Sequence, residues 1–249
     1  MSSVLSYNDF LKTANHSPSL KNGLVIDTNV LVSATYDSDP FYDLTNDFLD
    51  FVIENDVPLF CNVTVRTEFL EIHRRIIFSE ILFDFADTAN LPMTLASQLG
   101  KWKKNNQTRK DSGKTPLRLS ESDIKKVKLE MMKISSGDSD VWSILCQKKI
   151  GNKLGDLWQQ TVDGFGLNFL SVRTEDIPEH LNKAPDWGDV IRLIEQYGLS
   201  SSDAMILNMF FVSKFNALIT SDQEVAVTFK KIQAKEKICF VPHKFIGLN

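Results

Sequence analysis

Short apolar runs separated by amphipathic stretches constrain this chain most. Five of them stand out: 24–26 (LVI), 57–63 (VPLFCNV), 167–173 (LNFLSVR), 216–220 (NALIT) and 237–241 (KICFV). Each is too short for a stable helix and is bounded by turn-prone or polar residues, so each reads as a strand. Their apolar residues are mostly consecutive rather than alternate. The run Leu24–Ile26 reads as a strand buried on both faces, as in a parallel sheet. The stretches between them are helical. Leu44, Phe48, Phe51 and Val52 share one helical stripe, and Val65, Phe69, Ile72 and Ile76 share another. A third helix carries Trp187, Val190, Ile191, Ile194 and Tyr197, with Gly198 placed to end it. Strand, helix and strand in alternation imply βαβ crossovers. The expected fold is α/β, a three-layer sandwich around a central parallel five-stranded sheet.

Two regions stand apart. Residues 1–21 read as a polar leader with one short helix near 7–14. Residues 86–165 read as a mainly helical insertion, so that 22–249 form one domain interrupted by it. A chain of 249 residues can hold such an arrangement.

Composition narrows the class. A hydrophobic fraction of 43% and a charged fraction of 24% are ordinary for a globular protein. The net charge of −4 gives no global sign of nucleic-acid binding, leaving only local basic patches. Cys61, Cys146 and Cys239 are odd in number and far apart, which argues against a disulfide framework and against a zinc cluster. His16, His73, His180 and His243 have no metal-ligand spacing either. The opening residues lack a secretory signal and the run AMILNMFFV is too short to span a bilayer, so a cytoplasmic protein without membrane association is expected.

Four acids sit where the apolar pattern ends. Asp27 closes GLVID, Asp222 closes ALITSD, Asp203 opens the helical SSDAMILNMFF, and Glu68 lies in the helical VTVRTEFLEIHRR. In an open α/β sheet, ligands bind beyond the carboxyl ends of the strands, where Asp27 and Asp222 stand. Carboxylates brought together there repel one another unless a cation neutralises them, and hard oxygen ligands favour Mg²⁺ or Mn²⁺. Metal-assisted phosphodiester hydrolysis is the reaction class that follows.

In order along the chain, IDTNVLVSA, TEFLEI, YGLSSSDAMIL and LITSD resemble the PIN-domain ribonucleases. The resemblance spans about residues 22–85 and 165–245. It implies that Asp27, Glu68, Asp203 and Asp222 are the catalytic and metal-binding acids. Thr28 and Asn29 match the polar residues after the first acid, and Thr220 and Ser221 match those around the last. It implies a Mg²⁺- or Mn²⁺-dependent endoribonuclease acting on single-stranded RNA. A toxin with an antitoxin partner, and a homodimer, are compatible with it. The roughly eighty-residue insertion departs from the compact toxins of that family.

Several readings stay open on the sequence. Asp203 could serve only as a helix-start acid next to Ser200. Asp140, in SGDSDVWSIL, also opens a helix and is a rival third acid. Glu71 lies one turn from Glu68 and could replace it. The basic stretch 101–118 offers Lys101, Trp102, Lys103, Lys104, Arg109 and Lys110 as an RNA-binding surface, or is a solvated mobile loop. A catalytically silent RNA- or protein-binding module is the alternative to an enzyme. An Asp-nucleophile phosphatase is disfavoured because Asn29 stands where a second Asp is needed.

Overall fold

The computed structural model describes residues 3–14, 18–87, 91–136, 139–173, 175–232 and 236–246. In chain order the elements are β1 (Ser3–Ser6), α1 (Tyr7–Ala14), β2 (Leu24–Ile26), α2 (Thr28–Thr35), α3 (Tyr42–Glu54), β3 (Leu59–Cys61) and α4 (Val63–Phe85). Then come α5 (Met93–Asp111), α6 (Glu121–Met131), β4 (Ser135–Ser136), β5 (Ser139–Asp140), α7 (Val141–Leu145) and α8 (Lys153–Phe165). The chain closes with β6 (Leu167–Phe169), α9 (Ile177–His180), α10 (Trp187–Tyr197), α11 (Ser201–Val212), β7 (Ala217–Ile219), α12 (Gln223–Ile232) and β8 (Ile238–Val241). Two compact units result: Met1–Phe69 with Gln159–Asn249, and Leu70–Trp158.

The first unit is α/β with one parallel sheet of six strands, in the order β1-β8-β7-β2-β3-β6. The expected count of five is corrected by β1. Residues 1–21, read as a leader, supply an edge strand in register with β8, from Ser3 opposite Ile238 to Ser6 opposite Val241. Tyr7, Phe10 and Leu20 are buried in the core, and Phe10 packs edge-on against Phe48 and Phe240. The sequence hid this because SVLS has only two apolar residues between serines. Every residue of β2, β3 and β7 is buried, as consecutive apolar positions require when both faces of a parallel sheet are covered. At the other edge β6 leaves Asn168 and Phe169 exposed.

Tight backbone geometry sets β2 in place. Gly23, at φ 129°, enters a region closed to most side chains, and a Cβ there would stand 2.5 Å from the Phe60 ring. The strand after it starts with a ladder bond from Leu24 N–H to Pro58 O at 2.9 Å. α11 is apolar nearly all round, with Ala204, Ile206, Leu207, Met209, Phe210 and Val212 buried, which marks it as an interior helix. Gly198 ends α10 in the left-handed region, and Ser200 caps α11 by accepting from Asp203 N–H at 3.1 Å.

The second unit is mainly helical and has its own core. Phe78, Leu82 and Phe83 of α4 pack with Leu95 and Leu99 of α5, with Ile124, Val127 and Met131 of α6, and with Trp142 and Leu145 of α7. Phe78 and Trp142 stack at 4.8 Å. The basic stretch is not a loop: its first half is the end of α5. Leu95, Leu99 and Trp102 recur at helical spacing, and burying that stripe holds the lysines on a regular helix.

Candidate functional site

The chain leaves β2 toward β3 and β6 on one side, then returns to lay β7 on the other side of β2 and β8 beyond it. The strand order therefore reverses between β2 and β7. At such a switch point the two helices that follow the strands diverge and open a crevice at the carboxyl edge. Asp27 is the residue after β2 and Thr220 the residue after β7. Both are still held by ladder bonds: Asp27 N–H donates to Ile219 O at 2.9 Å, and Thr220 N–H to Phe240 O at 3.0 Å.

Asp27 occupies the N-cap position of α2, where a carboxylate ordinarily accepts from the first amides of the helix. It makes no such bond. Its Oδ2 accepts the Thr220 hydroxyl at 2.6 Å, while its Oδ1 is buried with no hydrogen-bond partner among the described residues. The residue is fully buried. Burial pushes its carboxyl up to about 7 despite the Thr220 bond, and the negative charges of Asp203, Glu68 and Asp222 push in the same direction. Three of the acids named from the sequence, on α4, on α11 and in the turn after β7, thus raise the carboxyl of the fourth, which follows β2.

The other acids keep local partners as well. Asp203 Oδ2 accepts the Ser200 hydroxyl at 2.7 Å, and burial raises its carboxyl above the ordinary value, with Asp222 and Glu224 adding to the rise. Asp222 Oδ1 caps α12, accepting from Glu224 N–H at 2.7 Å and Val225 N–H at 3.1 Å. Its Oδ2 accepts from Asn29 Nδ2 at 3.3 Å. The Thr220 hydroxyl in turn accepts from Asp222 N–H at 2.9 Å, so one side chain ties the first acid to the backbone of the last. Thr28 is fully buried and its Oγ1 has no hydrogen-bond partner. Ser221, half-buried, joins Thr220 to Asp222.

The rivals are engaged differently. Glu71 forms a two-pronged pair with Arg74, at 2.8 and 2.9 Å, which holds its carboxyl below the ordinary value. Asp140 caps α7 in the second unit, accepting from Ser143 N–H at 2.9 Å and from its hydroxyl at 2.8 Å. Of the basic stretch, Lys101, Lys104 and Lys110 are exposed, Lys103 pairs with Asp87, and Arg109 Nε donates to Thr115 O at 2.8 Å. Trp102 is half-buried and packs against the second unit's core. His16 lies outside the described residues.

Two residues of the site were not singled out from the sequence. Tyr7 donates its hydroxyl to Thr220 O at 3.2 Å and stacks on Phe48 at 4.4 Å. Its spacing of three from Phe10 signals a buried helical stripe but not that partner. Asn62 caps α4, accepting from Val65 N–H at 3.0 Å. An Asn between a strand and a helical run is a readable cap signal.

Asp27, Glu68, Asp203 and Asp222 offer only hard oxygen donors, the set suited to Mg²⁺ or Mn²⁺. Mutual repulsion and the unpartnered Asp27 Oδ1 describe a site short of positive charge. Among the described residues no three acidic, histidine or cysteine groups already stand as a ligand cage; Asp203 and Asp222 turn oxygens to their helix caps instead. Comparison of the chain with protein-family models, with curated proteins and with solved structures gave no match.

Proposed function

We propose that this chain is a metal-dependent endoribonuclease of the PIN-domain kind, its first unit a three-layer sandwich, which hydrolyses phosphodiester bonds of single-stranded RNA. One observation carries the reading. A fully buried aspartate stands at the switch point of a parallel sheet with one oxygen unpartnered, and three further acids act on it electrostatically. A structural role would leave that carboxylate capped or paired. Asp27, Glu68, Asp203 and Asp222 would hold Mg²⁺ or Mn²⁺. Bound there, the cation would lower the pKa of a water and stabilise charge on the phosphoryl oxygens. Thr220 fixes the Asp27 carboxylate, and Asn29 steadies Asp222. A toxin with an antitoxin partner belongs to the same proposal and rests on the resemblance alone.

The test is cleavage of a single-stranded RNA of mixed sequence with Mn²⁺ or Mg²⁺, with and without EDTA, by wild type and by Asp27→Asn. Cleavage that stops with EDTA and falls at least about a hundredfold in the variant supports the reading, since one metal-bound charge is worth several kcal/mol in the transition state. Cleavage by Asp27→Asn at the wild-type rate overturns it. RNA binding without cleavage by wild type would make the chain a silent binding module instead.

A further inference from the structure

A groove of about 420 Å³ opens in the first unit between the starts of two helices. Asn62 and Thr64 line it at the start of α4, Ser202, Met205 and Met209 line it along α11, and Trp187 borders it at the start of α10. Thr64 stands one turn before Glu68 on α4, and Ser202 directly precedes Asp203, so the groove adjoins two of the four acids. It is not, however, an acidic site: among the described residues no charged side chain lines it.

Three features describe its occupant. Trp187 is 64% exposed, a large cost for an indole unless another surface covers it. Met205 and Met209, one turn apart, give a polarizable floor that accepts flat rings. Asn62 is 1% exposed and half satisfied. Its Oδ1 accepts from Val65 N–H, while Nδ2 is buried with no partner. Flipping the amide would set Nδ2 against the Val65 N–H, so the orientation is fixed by the cap. A buried donor of this kind costs free energy until an acceptor reaches it.

We infer that the groove is a subsite for one unpaired nucleobase next to the scissile phosphate, with the ring against Trp187 and a base carbonyl accepting from Asn62 Nδ2. The two helix starts favour the flanking phosphates through their dipoles. An uncharged flat ring with edge acceptors matches the indole, the buried amide donor of Asn62 and the hydroxyls of Thr64, Ser201 and Ser202. An apolar peptide side chain would leave Asn62 unsatisfied. The choice of ligand rests on the single-strand nuclease reading above.

Binding in EDTA separates the two claims, because it needs no metal and no turnover. The probes are a short oligouridylate and a strand of the same length and charge with abasic sugars. Wild type is expected to bind oligouridylate at least about tenfold more tightly than the abasic strand, as one stacked base contributes 1–3 kcal/mol. Trp187→Ala should remove that advantage and leave abasic affinity unchanged. Asn62→Asp keeps the cap on Val65 and deletes the donor, and should reduce oligouridylate affinity by a smaller factor. Base-dependent binding that needs Trp187, in a protein that cleaves nothing, supports the groove while the nuclease reading falls. Equal affinity for the two strands, or wild-type oligouridylate affinity in Trp187→Ala, overturns the inference and leaves the groove to an apolar segment of a protein partner.

Discussion

The Thr220 hydroxyl donates to Asp27 Oδ2 at 2.6 Å and accepts from Asp222 N–H at 2.9 Å, joining two acids that lie 195 positions apart in the chain. Its proton is directed at Asp27 because the Asp222 amide already fills its acceptor side. Thr220→Val keeps the shape and deletes both bonds. We expect a loss of about 1–3 kcal/mol, from two buried polar groups left unsatisfied. Thr220→Ser should recover most of it. Urea midpoints of the three proteins would check this, and a valine variant as stable as wild type would refute the link.

Asp27 should also make stability depend on pH. Its carboxyl is raised from 3.8 to about 7 on folding. Between those values the folded protein binds a proton that the unfolded chain has lost. The contribution is full below pH 3.8 and is lost as pH rises through about 7. Asp27→Asn, which has no such charge, should therefore gain on wild type across this window, by an amount on the order of 4 kcal/mol. Mn²⁺ should raise the wild-type melting temperature at pH 8 and leave the variant's nearly unchanged. A stability difference flat with pH would contradict the burial of this charge.

Gly23→Ala places a Cβ 2.5 Å from the Phe60 ring in a backbone region that alanine avoids. The expected cost is about 1–3 kcal/mol from strain, with more from the collision. Because Gly23 leads into the strand that ends at Asp27, activity should fall further than the loss of folded protein explains. Thermal melts beside specific activity at a permissive temperature would tell.

Trp102→Ala should act on stability and not on RNA. Its ring packs against the core of the second unit, and losing that packing should cost about 1–3 kcal/mol. The advantage of oligouridylate over an abasic strand should stay as in wild type. By contrast, replacing Lys101, Lys103 and Lys104 by Ala should weaken RNA affinity and flatten its salt dependence, provided α5 contacts phosphate. Unchanged affinity and slope would return the exposed lysines to plain surface.

Much of the sheet was readable because its central strands are continuous apolar runs. The edges were not. β1 is two apolar residues between serines, and its partner β8 lies at the other end of the chain, so no local pattern reports it. The basic stretch misled for the opposite reason. Its charges dominate the composition, while the stripe of Leu95, Leu99 and Trp102 that makes it helical is only three residues. Asp27, Asp203 and Asp222 stood out at the borders of apolar runs, and Glu68 only through the resemblance. Tyr7 and the spare donor of Asn62 were not, since each has meaning only through a neighbour distant in sequence or a cavity that folding creates.

The strand order also sets when this protein can finish folding. β2 and β3 are made early and can pair, but the other side of β2 waits for β7, and β1 waits for β8. β1 precedes β8 by more than two hundred positions and is thus among the last strands to find its place. Pairings of such long sequence separation are slow to form, and an open apolar edge invites association meanwhile. A chain interrupted before Ala217 lacks Asp222 and leaves that side of β2 bare.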